Sequence, residues 1–171
     1  RSSDLLSDHL REKELEDAVV VAADLGFAKK ARNLAAELDM PLALVEKRRI
    51  SVDTEALTLV GEVDDRDVII VDDEVDTGGT MVNAVNIVQD HGARDVYICF
   101  AHALFSPPAV ERLQELSVKE IVTTNSIHLP TAKQLPNLTI LSVADLLAEV
   151  IERVHQGRSV GKIFQRYQRY K

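Results

Sequence analysis

Two spacings of apolar residues alternate along the chain. Short unbroken runs occur at 18–23 (AVVVAA), 68–71 (VIIV) and 96–101 (VYICFA). They are too short for helices and apolar at successive positions, the pattern of strands buried on both faces of a parallel sheet. Other segments repeat at three to four residues. Leu5, Leu6, Leu10 and Leu15 predict an amphipathic helix over 2–15, and Ala28, Ala31, Leu34, Ala35 and Leu38 predict one over 27–38. A second strand is expected at 41–45, with a basic cluster directly after it, then a polar loop at 50–54 and a marginal strand within 55–63. Beyond the 68–71 strand, which a tight acidic turn should end, the pattern predicts a helix from Gly79 to about Asp90, stopped at His91 and Gly92. A strand at 96–101, a helix at 107–116 and a strand at 119–123 follow. A loop at 124–136, a strand at 138–141 and a helix at 143–155 closed by Gly157 complete the alternation. Strands alternating with helices through short links specify an α/β fold, an open, mainly parallel twisted sheet flanked by helices. In such sheets ligands bind beyond the carboxyl ends of the strands.

Composition narrows the class. The 171 residues suit one domain with a proper core, and the 46% hydrophobic content excludes a disordered chain. With 4% aromatics and no Trp, that core is aliphatic. The formal charge of −8 argues against nucleic acid as the main partner. No run is long and apolar enough to span a bilayer. The single cysteine, Cys99, excludes an internal disulfide and a cysteine-cluster zinc site, and its place in an apolar run makes it a structural thiol suited to a reducing cytoplasm.

The candidate chemistry centres on VIIVDDEVDTGGT at 68–80. Two carboxylates follow the buried strand, and two glycines and a threonine open a helix. Backbone N–H groups at a helix start have no intrahelical partner and carry the positive end of its dipole, so with glycines permitting close approach they seat a phosphate. The carboxylates suit sugar hydroxyls or a Mg²⁺ bridging to an anionic ligand. A sugar phosphate requires both. Asp24 and the Lys47/Arg49 cluster also follow strands, so three polar clusters should meet on one rim. Taken alone, Asp76 and Asp24 also suit helix N-caps, Lys47 and Arg49 a solvated basic turn, and His102 and His128 structural roles.

The ordered segments resemble one family. D-D-x-x-D-T-G-G-T after four apolar residues resembles the phosphoribosyl-pyrophosphate (PRPP) signature of type I phosphoribosyltransferase folds. VAADLG with AKKAR, LVEKRR, His102 with SPPAVERL, TNSI and LSVADLLA are similar, in order, to segments of ribose-phosphate pyrophosphokinase, the PRPP synthetase family. The likeness runs from about Leu5 to Phe164, so 1–164 is expected to form one phosphoribosyltransferase-type domain and 165–171 a basic tail. The resemblance implies a transferase of nucleotide biosynthesis that moves the β,γ-diphosphoryl of ATP to ribose 5-phosphate, giving PRPP and AMP. It assigns Asp72 and Asp73 to the ribose hydroxyls with Mg²⁺ nearby. Asp76, Thr77, Gly78, Gly79 and Thr80 would hold the 5-phosphate, Lys47 and Arg49 would act as catalytic cations, and Asp24 would be a Mg²⁺-associated aspartate facing ATP.

Departures from the family pattern temper this. The family's N-terminal half, which supplies adenine contacts, has no counterpart here, so a partner half or a homo-oligomer is expected. Phe27 replaces a glycine, Ala22 and Ala23 replace a Ser-Pro, and Glu46 and Pro107 differ as well. A bulky Phe27 would obstruct a diphosphate. A non-catalytic regulatory subunit of the synthetase and a stand-alone phosphoribosyltransferase are therefore the alternatives.

Overall fold

A computed structural model describes residues 2–13, 15–49, 55–161 and 163. Seven strands make one sheet: β1 (Ala18–Ala22), β2 (Leu42–Arg49), β3 (Glu55–Val60), β4 (Asp67–Val75), β5 (Val96–Ala103), β6 (Glu120–Thr124) and β7 (Leu138–Leu141). Their spatial order is β3-β2-β1-β4-β5-β6-β7. Every neighbouring pair is parallel except β2 with β3.

The continuous apolar runs are explained by two packed faces. On one side Val68 and Ile70 of β4 and Val96, Ile98 and Phe100 of β5 pack against Met81, Ala84, Val85 and Val88 of helix α3 (Gly79–Asp90) and against Ala109 and Leu113 of α4 (Ala109–Gln114). On the other, Ile69, Val71 and Cys99 meet Leu6 and Leu10 of α1 (Ser2–Arg11) and Ala31, Leu34 and Ala35 of α2 (Ala28–Leu38). A strand covered on both faces needs apolar residues at successive positions. Cys99 is fully buried, and burial pushes its thiol well above the usual range, as an inert structural cysteine requires.

Several boundaries differ from the sequence expectation for a shared reason. β2 does not stop at Val45 but continues through the basic cluster to Arg49. Its pairing with β1 ends at Ala22↔Leu44, and beyond that point it is held by antiparallel β3, with Glu46↔Thr58 and Lys47↔Leu57. β4 likewise runs through the acidic residues to Val75, because β5 supplies partners at Asp72↔Phe100, Glu74↔His102 and Val75↔Ala103. The expected acidic turn after Val71 is therefore strand. α1 ends at Arg11 rather than reaching Leu15, and α4 is shorter than 107–116. The polar loop at 50–54, and the basic tail at 165–171, lie outside the described residues.

Helix α5 (Ala144–His155) buries none of its residues. Leu147, Ile151 and Val154 are all more than half exposed along one face. Among the described residues, no helix is long and apolar enough to cross a membrane.

Candidate functional site

The chain order reverses at β1. It moves outward to β2 and β3, then returns to place β4 on the other side of β1. The carboxyl ends of β1 and β4 therefore border a crevice at a topological switch point, where open α/β sheets bind ligands. A cleft of about 230 Å³ lies there, lined by Asp24 from the β1 end and by residues 72–81 from β4, the following turn and the start of α3. That volume suits a small ligand rather than a dinucleotide.

Each element fixes part of the lining. Asp24 is exposed just past β1, and its Oδ1 accepts the Phe27 N–H at 3.0 Å, so the same carboxylate that faces the cleft also closes the turn into α2. On β4, successive side chains point to opposite faces. Asp73 follows Val71 toward α2, where its Oδ2 accepts a hydrogen bond from Lys30 Nζ at 2.9 Å. That hydrogen bond holds the Asp73 carboxyl below its ordinary range, against a smaller opposing effect of burial. Asp72 lies half-buried on the opposite face. Burial pushes its carboxyl up to about 7, against the Asp73 N–H donated to its Oδ1 at 2.8 Å. The negative charges of Asp24 and Asp73 add to the rise. Adjacent carboxylates thus take opposite characters, one charged and paired, the other reluctant to ionise.

After Val75 the chain turns through Asp76, Thr77 and Gly78 into α3. Gly78 is the N-cap, with φ +79°, a left-handed conformation that glycine adopts without cost, and no side chain caps the helix. Asp76 is therefore not the helix cap. Among the described residues, the N–H groups of Thr77, Gly78, Gly79 and Thr80 find no backbone acceptor, as expected at a helix start. Buried Met81 anchors the helix in the core directly behind them.

The sequence-predicted residues divide accordingly. Asp24, Asp72, Asp73, Asp76, Thr77, Gly78, Gly79 and Thr80 share one cleft. Lys47 does not line it. Lys47 and the backbone of Arg49 lie on the part of β2 that runs past the carboxyl end of β1, at the same end of the sheet, and the side chain of Arg49 lies outside the described residues. Phe27 does not line the cleft either. Its ring packs with the α2-side cluster, and Lys30 Nζ sits 5.0 Å from the ring centroid. His102 is bonded through Nδ1 to Ser126 Oγ at 2.8 Å, tying β5 to the turn after β6.

Three residues escaped the sequence reading. Glu74 lines the cleft, Lys30 pairs with Asp73, and Arg112 Nη1 donates to the Thr77 carbonyl at 2.9 Å. The alternation of β4 placed Glu74 on the Asp72 face. Lys30 and Arg112 lie in the family-like segments AKKAR and SPPAVERL, but they come from helices distant in sequence from β4 and its turn, and nothing local assigns them these contacts.

The lining offers five carboxylates, from Asp24, Asp72, Asp73, Glu74 and Asp76. Among the described residues no three groups are close enough to form an all-protein metal site. Oxygen donors around a suppressed charge fit a hard divalent cation that completes its shell with ligand phosphates and water, the usual habit of Mg²⁺.

Comparison with known proteins agrees with this fold. The model of the phosphoribosyl synthetase-associated domain matches residues 47–165. The ribose-phosphate pyrophosphokinase of Nostoc sp. is 43% identical over 164 residues, 95% of this chain and 50% of that protein. The Bacillus subtilis protein of the same name is 42% identical over 161 residues, 94% of this chain and 51% of the relative. The chain thus spans about half the length of the curated relatives it matches. A crystal structure of phosphoribosylpyrophosphate synthetase from Mycobacterium smegmatis superposes with a TM-score of 0.86 at 38% identity, covering 92% of this chain and 51% of that one. A purine phosphoribosyltransferase from Pyrococcus horikoshii, at a TM-score of 0.53 and 23% identity, shares the fold.

Proposed function

The chain belongs to the ribose-phosphate pyrophosphokinase (PRPP synthetase) family, with the type I phosphoribosyltransferase fold, and from that premise we propose that its cleft binds ribose 5-phosphate and PRPP. The observation that carries this reading is the meeting of Asp24 with residues 72–80 in one small cleft at the switch point of the sheet. The N–H groups of Thr77 to Thr80 take the 5-phosphate, helped by the Thr77 and Thr80 hydroxyls. Asp72 and Asp73 accept hydrogen bonds from the ribose hydroxyls. Lys30 keeps Asp73 ionised for that task.

The reaction we assign to the whole protein is transfer of the β,γ-diphosphoryl of ATP to ribose 5-phosphate. The ribose 1-oxygen bonds to the β-phosphorus and loses its proton to solvent, while the bond from that phosphorus to the α-phosphate oxygen breaks, releasing AMP. Lys47 and Arg49, on the arm formed by β2 and β3, would close over the transferring group and neutralise its charge. Asp24 and Asp72 would hold Mg²⁺, which supplies further charge neutralisation on the phosphates. The Phe27 ring is not part of the cleft lining, which weighs against the non-catalytic alternative.

Because the chain matches half of its relatives, ATP binding is assigned jointly to this domain, over residues 1–164, and to a partner half. The exposed apolar face of α5 at Leu147, Ile151 and Val154 supports such a partner. A cytoplasmic setting fits the single buried thiol.

The test has two stages. Calorimetry should detect ribose 5-phosphate binding to this chain in the presence of Mg²⁺. Incubation with ATP, Mg²⁺ and ribose 5-phosphate, after adding the N-terminal half of a relative, should release AMP. Absence of both would defeat the proposal, and binding without AMP would favour the regulatory alternative.

A further inference from the structure

The phosphate seat has an electrostatic difficulty. Its cleft is lined by five carboxylates and, among the described residues, by no cation. It also has a conformational one. Gly78 sits at φ +79° with no side-chain cap to hold it, and glycine tolerates a flipped preceding peptide nearly as well as the observed one. Nothing local decides whether the Thr77–Gly78 peptide turns its N–H or its carbonyl toward a ligand.

A residue from α4 meets both difficulties. Arg112 Nη1 donates to the Thr77 carbonyl at 2.9 Å. A Cβ placed on Gly79 would lie 3.6 Å from that same nitrogen, and one on Gly78 would lie 3.5 Å from the Ala109 Cα, so α4 backs directly onto both glycines. Ala109 and Leu113 are buried in the core, which fixes the helix that carries Arg112. Helix and turn therefore form one rigid wall.

We propose that Arg112 is a positioning residue for phosphate binding: it pins the Thr77 carbonyl to the rear of the turn, so that the Gly78 N–H faces the phosphate. The carbonyl and that N–H belong to one peptide unit. A cation bonded to the oxygen polarises the unit and makes its N–H a stronger donor. The guanidinium also supplies positive charge behind a seat whose front is acidic. The inference rests on the reading of the cleft as a sugar-phosphate site.

The experiment compares wild type, Arg112→Gln and Arg112→Lys by calorimetry with ribose 5-phosphate and, separately, with inorganic phosphate, alongside thermal unfolding. Loss of a hydrogen bond from a charged donor should weaken both ligands about tenfold to hundredfold in Arg112→Gln. Arg112→Lys should recover part of the loss, because it restores a cationic donor without the planar fork. The unfolding midpoint should stay within about 2 °C of wild type, since the side chain is exposed. Unchanged affinity in Arg112→Gln overturns the inference, as does an affinity loss that merely tracks a large fall in the midpoint. A wild-type chain that binds phosphate but not ribose 5-phosphate defeats the substrate reading, while Arg112 is still judged on phosphate. A wild type that binds neither overturns both.

Discussion

Replacing Asp72 with asparagine should make the fold more stable at pH 8 while removing ribose 5-phosphate binding. The folded chain raises this carboxyl from 3.8 to about 7, chiefly by burial. The folded state therefore holds a proton that the unfolded chain has released. The stability linked to this proton is fully present below about pH 4, falls as pH rises towards 7, and is gone above it. At about 1.4 kcal/mol per pH unit the displacement corresponds to about 4 kcal/mol. Asp72 is only half-buried beside an open cleft, and solvent screening reduces this to about 1–2 kcal/mol. Asparagine has nearly the same shape, carries no charge, and its Oδ1 still accepts the Asp73 N–H. At pH 8 the variant should unfold about 3–6 °C above wild type, and the two should converge near pH 4. Thermal unfolding across that range without divalent cations measures the difference. Adding Mg²⁺ at pH 8 should then raise the wild-type midpoint and leave the variant's unchanged. Parallel curves at all pH values, or a variant less stable at pH 8, would refute the account of Asp72.

Two further substitutions test the framework that carries the site. Glu120 accepts Thr139 Oγ1 at 2.6 Å and pairs with Lys13 Nζ at 2.8 Å and His9 Nε2 at 3.2 Å. Burial works against its charge, but the hydrogen bonds from Lys13 and Thr139 outweigh it and hold the carboxyl below the ordinary glutamate range. Its contribution is thus present above that range and lost as pH falls through the lowered value. Glu120→Gln should cost about 1–2 kcal/mol at pH 7 and progressively less as pH falls below the ordinary glutamate range, as a series of thermal unfolding curves would show; a cost independent of pH would contradict the ionic role. Gly61 sits at φ +119°, and a Cβ there would lie 2.5 Å from the Ala43 Cβ and 2.9 Å from its Cα. Gly61→Ala should therefore lose about 2–3 kcal/mol in urea unfolding by forcing β3 away from β2, and a loss under about 0.5 kcal/mol would show that the edge strand yields freely.

The fold was legible because each buried strand declares itself. AVVVAA and VYICFA admit no other economical placement than between two helical layers, and the helices carry the complementary three-to-four-residue spacing. The turn that opens α3 was legible for a similar reason. Two glycines and a threonine between a buried strand and a helix have a local meaning, and Asp24 fell just past the end of β1, where the strand pattern predicted it. The misplaced ends of β2 and β4 share one cause. A polar segment stays extended when a neighbouring strand pairs with it, and the neighbour lies elsewhere in the chain. Lys47 became a strand residue because Leu57 lies opposite it, and Asp72 and Glu74 because Phe100 and His102 lie opposite them.

For the opposite characters of Asp72 and Asp73 the sequence offers no signal at all. Two identical side chains in succession differ because pleating sends one toward Lys30 and the other into a half-buried recess beside Asp24. The same holds for Arg112 behind Thr77 and for the Phe27 ring, which packs with the cluster on the α2 side and does not line the cleft. The sequence by itself determined the sheet, its two helical layers and the glycine turn that opens α3, because hydrophobic period and backbone freedom are local properties of the chain. The tertiary structure decided which carboxylate keeps its charge and which cation backs the Thr77 turn. Those are fixed by distances between groups 35 or more residues apart, Thr77 to Arg112 and Lys30 to Asp73.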